Sequence, residues 1–312
     1  MRKNALSQTV SHTRTAAKNE RAGLLFAAPW LIGFLLLSFL PILLSAYYSL
    51  CEYNNFQRPV FVGFANYAAL FHDELFLISA KNTLLYTLVS VPLNLILGMI
   101  LALVLNIEIK GQSIFRTCYY LPSIIPLVAA SILWRWMYNP EYGLVNILLR
   151  FFGVKGPMWL QDAAWTKPAM LVMGLWSSGN IFIVFLASLK DVPKDYYEAA
   201  RMDGANAWQR FVHVTLPGMS NVIFYQLVLS LIQHLQYFTQ AYVMLAGYRQ
   251  TASGGPQNSL LFYSLRLFHQ AFYYFNMGSA SAMAWLLFLV TCLIVFLLFK
   301  SSAKWVFYGE DS

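Results

Sequence analysis

82-NTLLYTLVSVPLNLILGMILALVLN-106 runs for 25 residues without a charged side chain. A helix needs about 20 apolar residues to cross a bilayer core, so this stretch is long enough to span a membrane. Five more uncharged stretches accompany it, at 24–51, 117–134, 168–189, 211–248 and 267–299. Only 11% of the 312 residues are charged while 59% are hydrophobic, against about a quarter charged in ordinary soluble domains. A soluble chain of this length could not clothe its surface from that composition. Strands of a membrane barrel would be shorter and would alternate apolar with polar residues. The expected fold is therefore an all-α membrane protein with six transmembrane helices, at about 24–50, 82–106, 117–137, 168–189, 220–246 and 277–299.

Basic residues orient the spans. Residues 1–23, the 106–116 loop, the 190–219 segment and the carboxyl end hold 13 of the 21 Lys and Arg residues. By the positive-inside rule these segments, the 1–23 and 301–312 tails among them, are expected on the cytoplasmic side. The first span is too long for a signal-peptide core and reads as a retained anchor. In 134-WRWMY-138 the aromatics are expected to form an interfacial belt, with Arg135 reaching outward. No basic run interleaves with aromatics as on a nucleic-acid-binding module, and part of the net charge of +8 suits anionic headgroups instead. Cys51, Cys118 and Cys292 are scattered, the five histidines form no metal-binding motif, and no phosphate-binding G-x-x-x-x-G-K-[ST] occurs. No cofactor or metal is expected, and any ATP would be bound by another chain.

Between the fourth and fifth spans stands 195-DYYEAARMDGANAWQRFVHVTLP-217, a charged island. Pro193 stops the fourth span. Asp195 with Glu198 three places on reads as a capping pair, and Asn206 with Gln209 repeats the pattern. Gly204 falls where a helix commonly ends in the left-handed conformation. The segment 193–217 is thus expected as helix, glycine elbow and helix, the second ending near His213, with Pro217 in the first turn of span five. A solvated connector would account for the charges. Trp208 and Phe211 offer an apolar face beyond a connector's needs, and Ala199 and Ala200 would allow close approach, which suits a docking knob.

Glu198-Ala199-Ala200, Asp203-Gly204-Ala205 and Leu216-Pro217 resemble the EAA loop of permease subunits in binding-protein-dependent ABC importers. The resemblance covers about 24–300 and is nearest to carbohydrate importers of the maltose- and glycerol-phosphate-type first permease. It extends through 62-VGFANYAALF-71, 119-YYLPSIIP-126, 132-ILWRWMYNPEYGLVN-146, 254-GGPQNS-259 and 277-MGSASAMAW-285. The maltose subunit's large external domain is lacking, and Asn221 stands where the family often has a proline. The resemblance implies coupling helices seated in a cytoplasmic ATPase, with Glu198 as the charged contact and Gly204 as the elbow. It also implies the partners: a homologous second permease, two ATPase copies and an extracytoplasmic solute-binding protein.

In the fifth span Gln226, Ser230, Gln233, Tyr237 and Gln240 recur at intervals of four and three, one helical face, with His234 and Gln236 beside it. Amides facing lipid are costly, so this face must look into the bundle. Two readings stay open: helix–helix hydrogen bonding, or the lining of a path for a hydroxyl-rich substrate. Trp176, Ser177, Ser178 and Asn180 of the fourth span add to the second, and in similar permeases sugar contacts flank the EAA loop. No Asp, Glu or Lys lies deep in a span, so a neutral polar substrate is expected. An ion-coupled secondary transporter is the alternative, but it would call for intramembrane charges and inverted repeats. An intramembrane enzyme would need a nucleophile–base pair that His234 alone does not supply.

Overall fold

The computed structural model describes residues 26–107, 110–246 and 254–307. The 1–23 tail, the first two residues of span one, residues 108–109, the 247–253 connection and residues 308–312 lie outside them. Three helices are long and apolar enough to cross a bilayer: α1 (Phe26–Ser49), α3 (Glu74–Asn106) and α14 (Met277–Ser302). Three bent pairs complete six spans if each pair is one. They are α4 (Gln112–Ile124) with α5 (Leu127–Met137), α7 (Ala163–Trp176) with α8 (Gly179–Asp191), and α10 (Ala207–Gly218) with the segment of α11 (Ser220–Leu235) and α12 (Thr239–Leu245); a short α6 (Leu144–Phe151) lies between the first two pairs.

The long helices depart from the expected bounds. α3 begins eight residues early because Asp73 caps it, its side chain accepting from the Leu75 amide at 2.9 Å. α1 lies exposed along almost its whole length and touches the body through α14, where Trp285 Nε1 donates to Ser45 Oγ at 3.0 Å. Pro41 has no amide hydrogen to give the preceding turn, and a wide π turn at Leu35–Phe39 takes up the mismatch. Beyond α1 come a two-rung antiparallel ladder, Cys51–Glu52 with Val60–Phe61, and α2 (Ala65–Leu70). Gly278 lets α14 start against this ladder, since a Cβ there would collide with the Cys51 carbonyl oxygen.

The expected third span is not one straight helix. α4 and α5 meet at Ile125 and Pro126 with a bend of 101°, and neither half is long enough to cross alone. Pro126 is the cause: it cannot donate to the preceding turn and it drives Ile125 into extended backbone. The bend also overturns the aromatic belt. Trp134 and Tyr138 are buried rather than interfacial, and Tyr138 Oη donates to the Ala169 carbonyl at 2.7 Å; only Trp136 of the trio is exposed.

α3 is the central post, packed along α8, α11 and α7. Lipid offers helices no hydrophobic drive to associate, so packing and interhelical hydrogen bonds must hold them. Tyrosines supply several: Tyr86 Oη donates to Met170 O at 3.2 Å and Tyr263 Oη to Met283 O at 2.8 Å. One buried cluster gathers Tyr86, Trp134, Tyr138, Met170, Met173, Tyr237 and Phe262, and a second, towards the 193–217 segment, gathers Met99, Phe182, Phe185, Val192 and Met219. The segment 253-SGGPQNS-259 is more than a surface turn. Its described part folds in against α3, where Asn82 Nδ2 donates to Asn258 O and Leu261 O, and Leu260 to Phe262 are buried. α13 (Tyr263–Phe268) follows, and Arg266 meets Asp73 at 2.8 Å, the one ion pair among the described residues.

Candidate functional site

Interruptions in three spans meet around one cavity of about 710 Å³. Residues 122–127 reach it from the α4–α5 break, Ser177 and Ser178 from the α7–α8 break, and Gln236 to Gln240 from the interruption between α11 (Ser220–Leu235) and α12 (Thr239–Leu245). Tyr86 and Asn94 close it from α3. The grouping follows from the bilayer's demand that backbone groups be satisfied. A broken helix frees several, and these are tolerated where they line a cavity rather than face lipid. At these breaks Ser123, Ser177 and Ser178 bond back to the backbone, their hydroxyls donating to Tyr120 O, Met173 O and Leu175 O.

Of the residues expected on a substrate path, Ser177, Asn180, Ser230, Gln233, His234 and Tyr237 line this cavity, as do Ser178 and Gln240. Trp176 does not. It borders a separate space of about 330 Å³ with Leu97, Leu101 and Tyr119, its ring lying 5.6 Å from that of Trp134. Gln226 is buried in α11 but off the cavity wall. The stripe is not one continuous helical face either, because the helix ends at Leu235 and Tyr237 and Gln240 follow the break. Tyr86 and Asn94 were not expected. Asn94 is a lone amide within 90-SVPLNLILG-98, which was the available signal, and its Nδ2 donates to Ser90 O at 2.9 Å.

Among the described residues, no Asp, Glu, Lys or Arg lines the cavity. Its wall carries amides of Asn94, Asn180, Gln233, Gln236 and Gln240, hydroxyls, and the rings of Tyr86, Tyr237 and Phe238. His234 Nδ1 lies 2.7 Å from Ser230 O; a carbonyl only accepts, so Nδ1 carries the proton and Nε2 of the neutral ring is an acceptor. The arrangement offers paired donors and acceptors beside apolar faces. Chemically it can hold a hydroxyl-bearing solute; it lacks the charged pair that acid–base or ion-coupled chemistry would use.

At the other end, α9 (Lys194–Met202) and α10 form a two-helix knob. α9 begins at Pro193, which takes the N-cap position, so Asp195 is not a cap; it lies in the first turn, where its charge suits the helix dipole. The end of α9 is a full Schellman motif: Gly204 N donates to Arg201 O at 3.0 Å and Ala205 N to Ala200 O at 2.9 Å, with Gly204 at φ +78°. Asn206 and Gln209 form the reciprocal capping box, at 2.9 and 2.8 Å. α10 continues past His213 through a wide turn at Phe211–Thr215 to Gly218, so Pro217 closes this helix and does not open the next. Tyr197 Oη and Thr215 Oγ1, 3.0 Å apart, tie the two helices. Glu198, Ala199, Asp203, Gly204 and Pro217 are exposed, Ala200 and Leu216 half-buried, and Trp208 is 70% exposed.

Residues 94–308 match the family model described as binding-protein-dependent transport system inner membrane component. The chain belongs to this family. It is 40% identical over 308 residues to the probable ABC transporter permease protein YesP of Bacillus subtilis, covering 97% of each chain. It is 32% identical over 264 residues to the trehalose/maltose transport system permease protein MalF of Thermococcus litoralis, covering 84% of this chain and 85% of that one. Among solved structures, a chain of a bacterial ABC transporter involved in the import of the acidic polysaccharide alginate superposes with a TM-score of 0.79 at 25% identity, covering 93% of this chain and 99% of that one. The matched region takes in the knob and most of the cavity lining; Tyr86 lies before it. As a member of this permease family the chain is a membrane component of an ABC transporter.

Proposed function

We propose that this chain is the permease subunit of an ATP-driven importer that carries a sugar or sugar derivative across the bacterial cytoplasmic membrane. The observation that carries the reading is the uncharged cavity at the junction of three broken spans, whose amides, hydroxyls and aromatic faces match what a hydroxyl-rich solute asks for. Relatives named for trehalose/maltose and for arabinooligosaccharides support that solute class. The knob is the docking element for a cytoplasmic ATPase, with Glu198, Ala199, Ala200, Asp203 and Gly204 at the contact and Leu216 and Pro217 at its base. Two ATPase copies, a homologous second permease and an extracytoplasmic solute-binding protein complete the assembly, and both tails lie in the cytoplasm. The ATPases hydrolyse ATP; this chain does no chemistry. An ion-coupled secondary transporter is the lesser reading, because none of the described residues on the cavity wall is an Asp, Glu, Lys or Arg to bind or sense an ion.

Glu198 tests the docking. It is exposed, and no ion pair within the described residues engages it, so its charge is available for an arginine of the ATPase, where a bidentate bond is strongest. Glu198→Lys is expected to leave membrane insertion intact and to abolish both co-purification with the ATPase and uptake. Uptake at the unmodified rate would refute this docking surface.

A further inference from the structure

Met219 separates α10 from α11 at a bend of 68° and is fully buried. A break of this kind orphans the last carbonyls of the first helix. Here Ser220 answers for one of them: its hydroxyl donates to Pro217 O at 2.7 Å. Ser220 Oγ in turn accepts from the Phe307 amide at 2.8 Å. Phe307 ends a short described segment that leaves α14 at Ser302 and folds back along α11, where the ring of Trp305 lies 5.8 Å from that of Phe224, which Phe299 of α14 also approaches at 5.0 Å. One buried hydroxyl, 3% exposed, thus joins the base of the knob, the start of the fifth span and the chain leaving the sixth. Gly218 is pressed against Val192 on the other flank; a Cβ there would come within 3.1 Å of that side chain.

The geometry points to Ser220 as a positioning residue for energy coupling: through the Pro217 and Phe307 bonds it fixes the angle between knob and fifth span and ties the sixth span to both. The inference rests on an ATPase docking at the knob. A tilt imposed on α10 then reaches two spans together. With the hydroxyl removed, the bend opens as a loose joint and part of each tilt is lost there.

Ser220→Ala deletes both bonds of the clamp, and Phe307→Pro deletes the Phe307 bond alone by removing the amide hydrogen, at the cost of an exposed ring outside the spans. In the reconstituted transporter, both are expected to keep co-purification with the ATPase while lowering substrate taken up per ATP hydrolysed by about two- to tenfold, the factor one net hydrogen bond is worth. Ser220→Thr, which keeps the hydroxyl, is expected to restore the ratio. Hydrogen exchange of the 215–221 amides is expected to quicken in the first two variants and not in the third. Unchanged exchange overturns the clamp whatever the ATPase does. Faster exchange with an unchanged uptake ratio overturns the coupling role. Should Ser220→Ala fail to assemble, Phe307→Pro decides both points. Should the unmodified chain fail to bind an ATPase, the docking reading falls, and the exchange result still decides the clamp.

Discussion

Replacing Gly204 separates backbone conformation from space in the knob. Its φ is +78°, and a Cβ built there would meet nothing within 4 Å. Any penalty of Gly204→Ala is therefore conformational, and a left-handed L-residue costs about 1–2 kcal/mol. Nothing nearby offers compensation. The Ala200 and Arg201 carbonyls are capped only while residue 204 stays left-handed, and α9 with nine residues is too short to be stable by itself. If α9 runs on through 204, the Asn206–Gln209 box is broken and Glu198 and Trp208 no longer present one surface. The docking-competent fraction falls accordingly, and apparent affinity falls by the same factor. At about 1.4 kcal/mol per decade, affinity for the ATPase should drop about five- to thirtyfold. Titrating the ATPase onto the permease in nanodiscs, with binding read by fluorescence anisotropy, measures it. Gly204→Asn, a residue that tolerates this conformation, should recover most of the loss. Wild-type affinity for the alanine variant, or asparagine no better than alanine, would refute the reasoning.

Two further expectations concern the cavity and the connection beyond α12. Gln233→Ala with His234→Ala removes an amide and an acceptor from the cavity wall and should raise the substrate concentration for half-maximal uptake at least tenfold, as about 1–3 kcal/mol is lost per unsatisfied polar partner; unchanged kinetics over several sugars would return the stripe to packing. His269 is 1% exposed, and burial, with the nearby Arg266 guanidinium adding to it, pushes its imidazole down to about 4. Its folded value lies below the free value near 6.5, so the stability it contributes is complete above pH 6.5 and is lost as pH falls towards 4. Melting temperature should decline across that window, and His269→Phe should flatten the decline; equal slopes for the two proteins would assign it to other groups.

The parts of this fold that sequence states clearly are those governed by local chemistry. Six uncharged stretches name the spans because the bilayer sets a length that composition must meet. The Asn206–Gln209 box and the Gly204 elbow are legible because each involves partners within a few residues. Asp195 misleads in the same terms: Pro193, two places earlier, already holds the cap position. What sequence hides is angle and distance. Pro122 and Pro126 stand in plain view, yet only packing shows that Pro126 bends the chain by 101° and Pro122 does not end α4. That bend turns Trp134 and Tyr138, four apart and so on one helical face, inward to Trp176 and Ala169. The tie from Asn82 to Asn258 joins residues 176 positions apart, beyond any local pattern.

The placement of the breaks connects the two halves of the proposed mechanism. The knob hangs between α8 and α11, and these same helices carry cavity residues at their far ends: Asn180 and Ile181 just after the Ser177–Ser178 break, Gln233 and His234 just before the Gln236–Phe238 break. Both helices also pack on α3, at Phe182 and Phe185 of the knob-side cluster and against Asn94's neighbours. A rigid shift of the knob would therefore swing two walls of the cavity against a fixed post. The breaks would absorb the motion, because the segments beyond them, α7 and α12, are held in the other cluster through Met170, Met173 and Met244. Straight spans in their place would carry the displacement through the whole bundle and strain the packed tyrosines. Broken spans would confine it to the knob-side half, as the proposed opening of the cavity to one side requires.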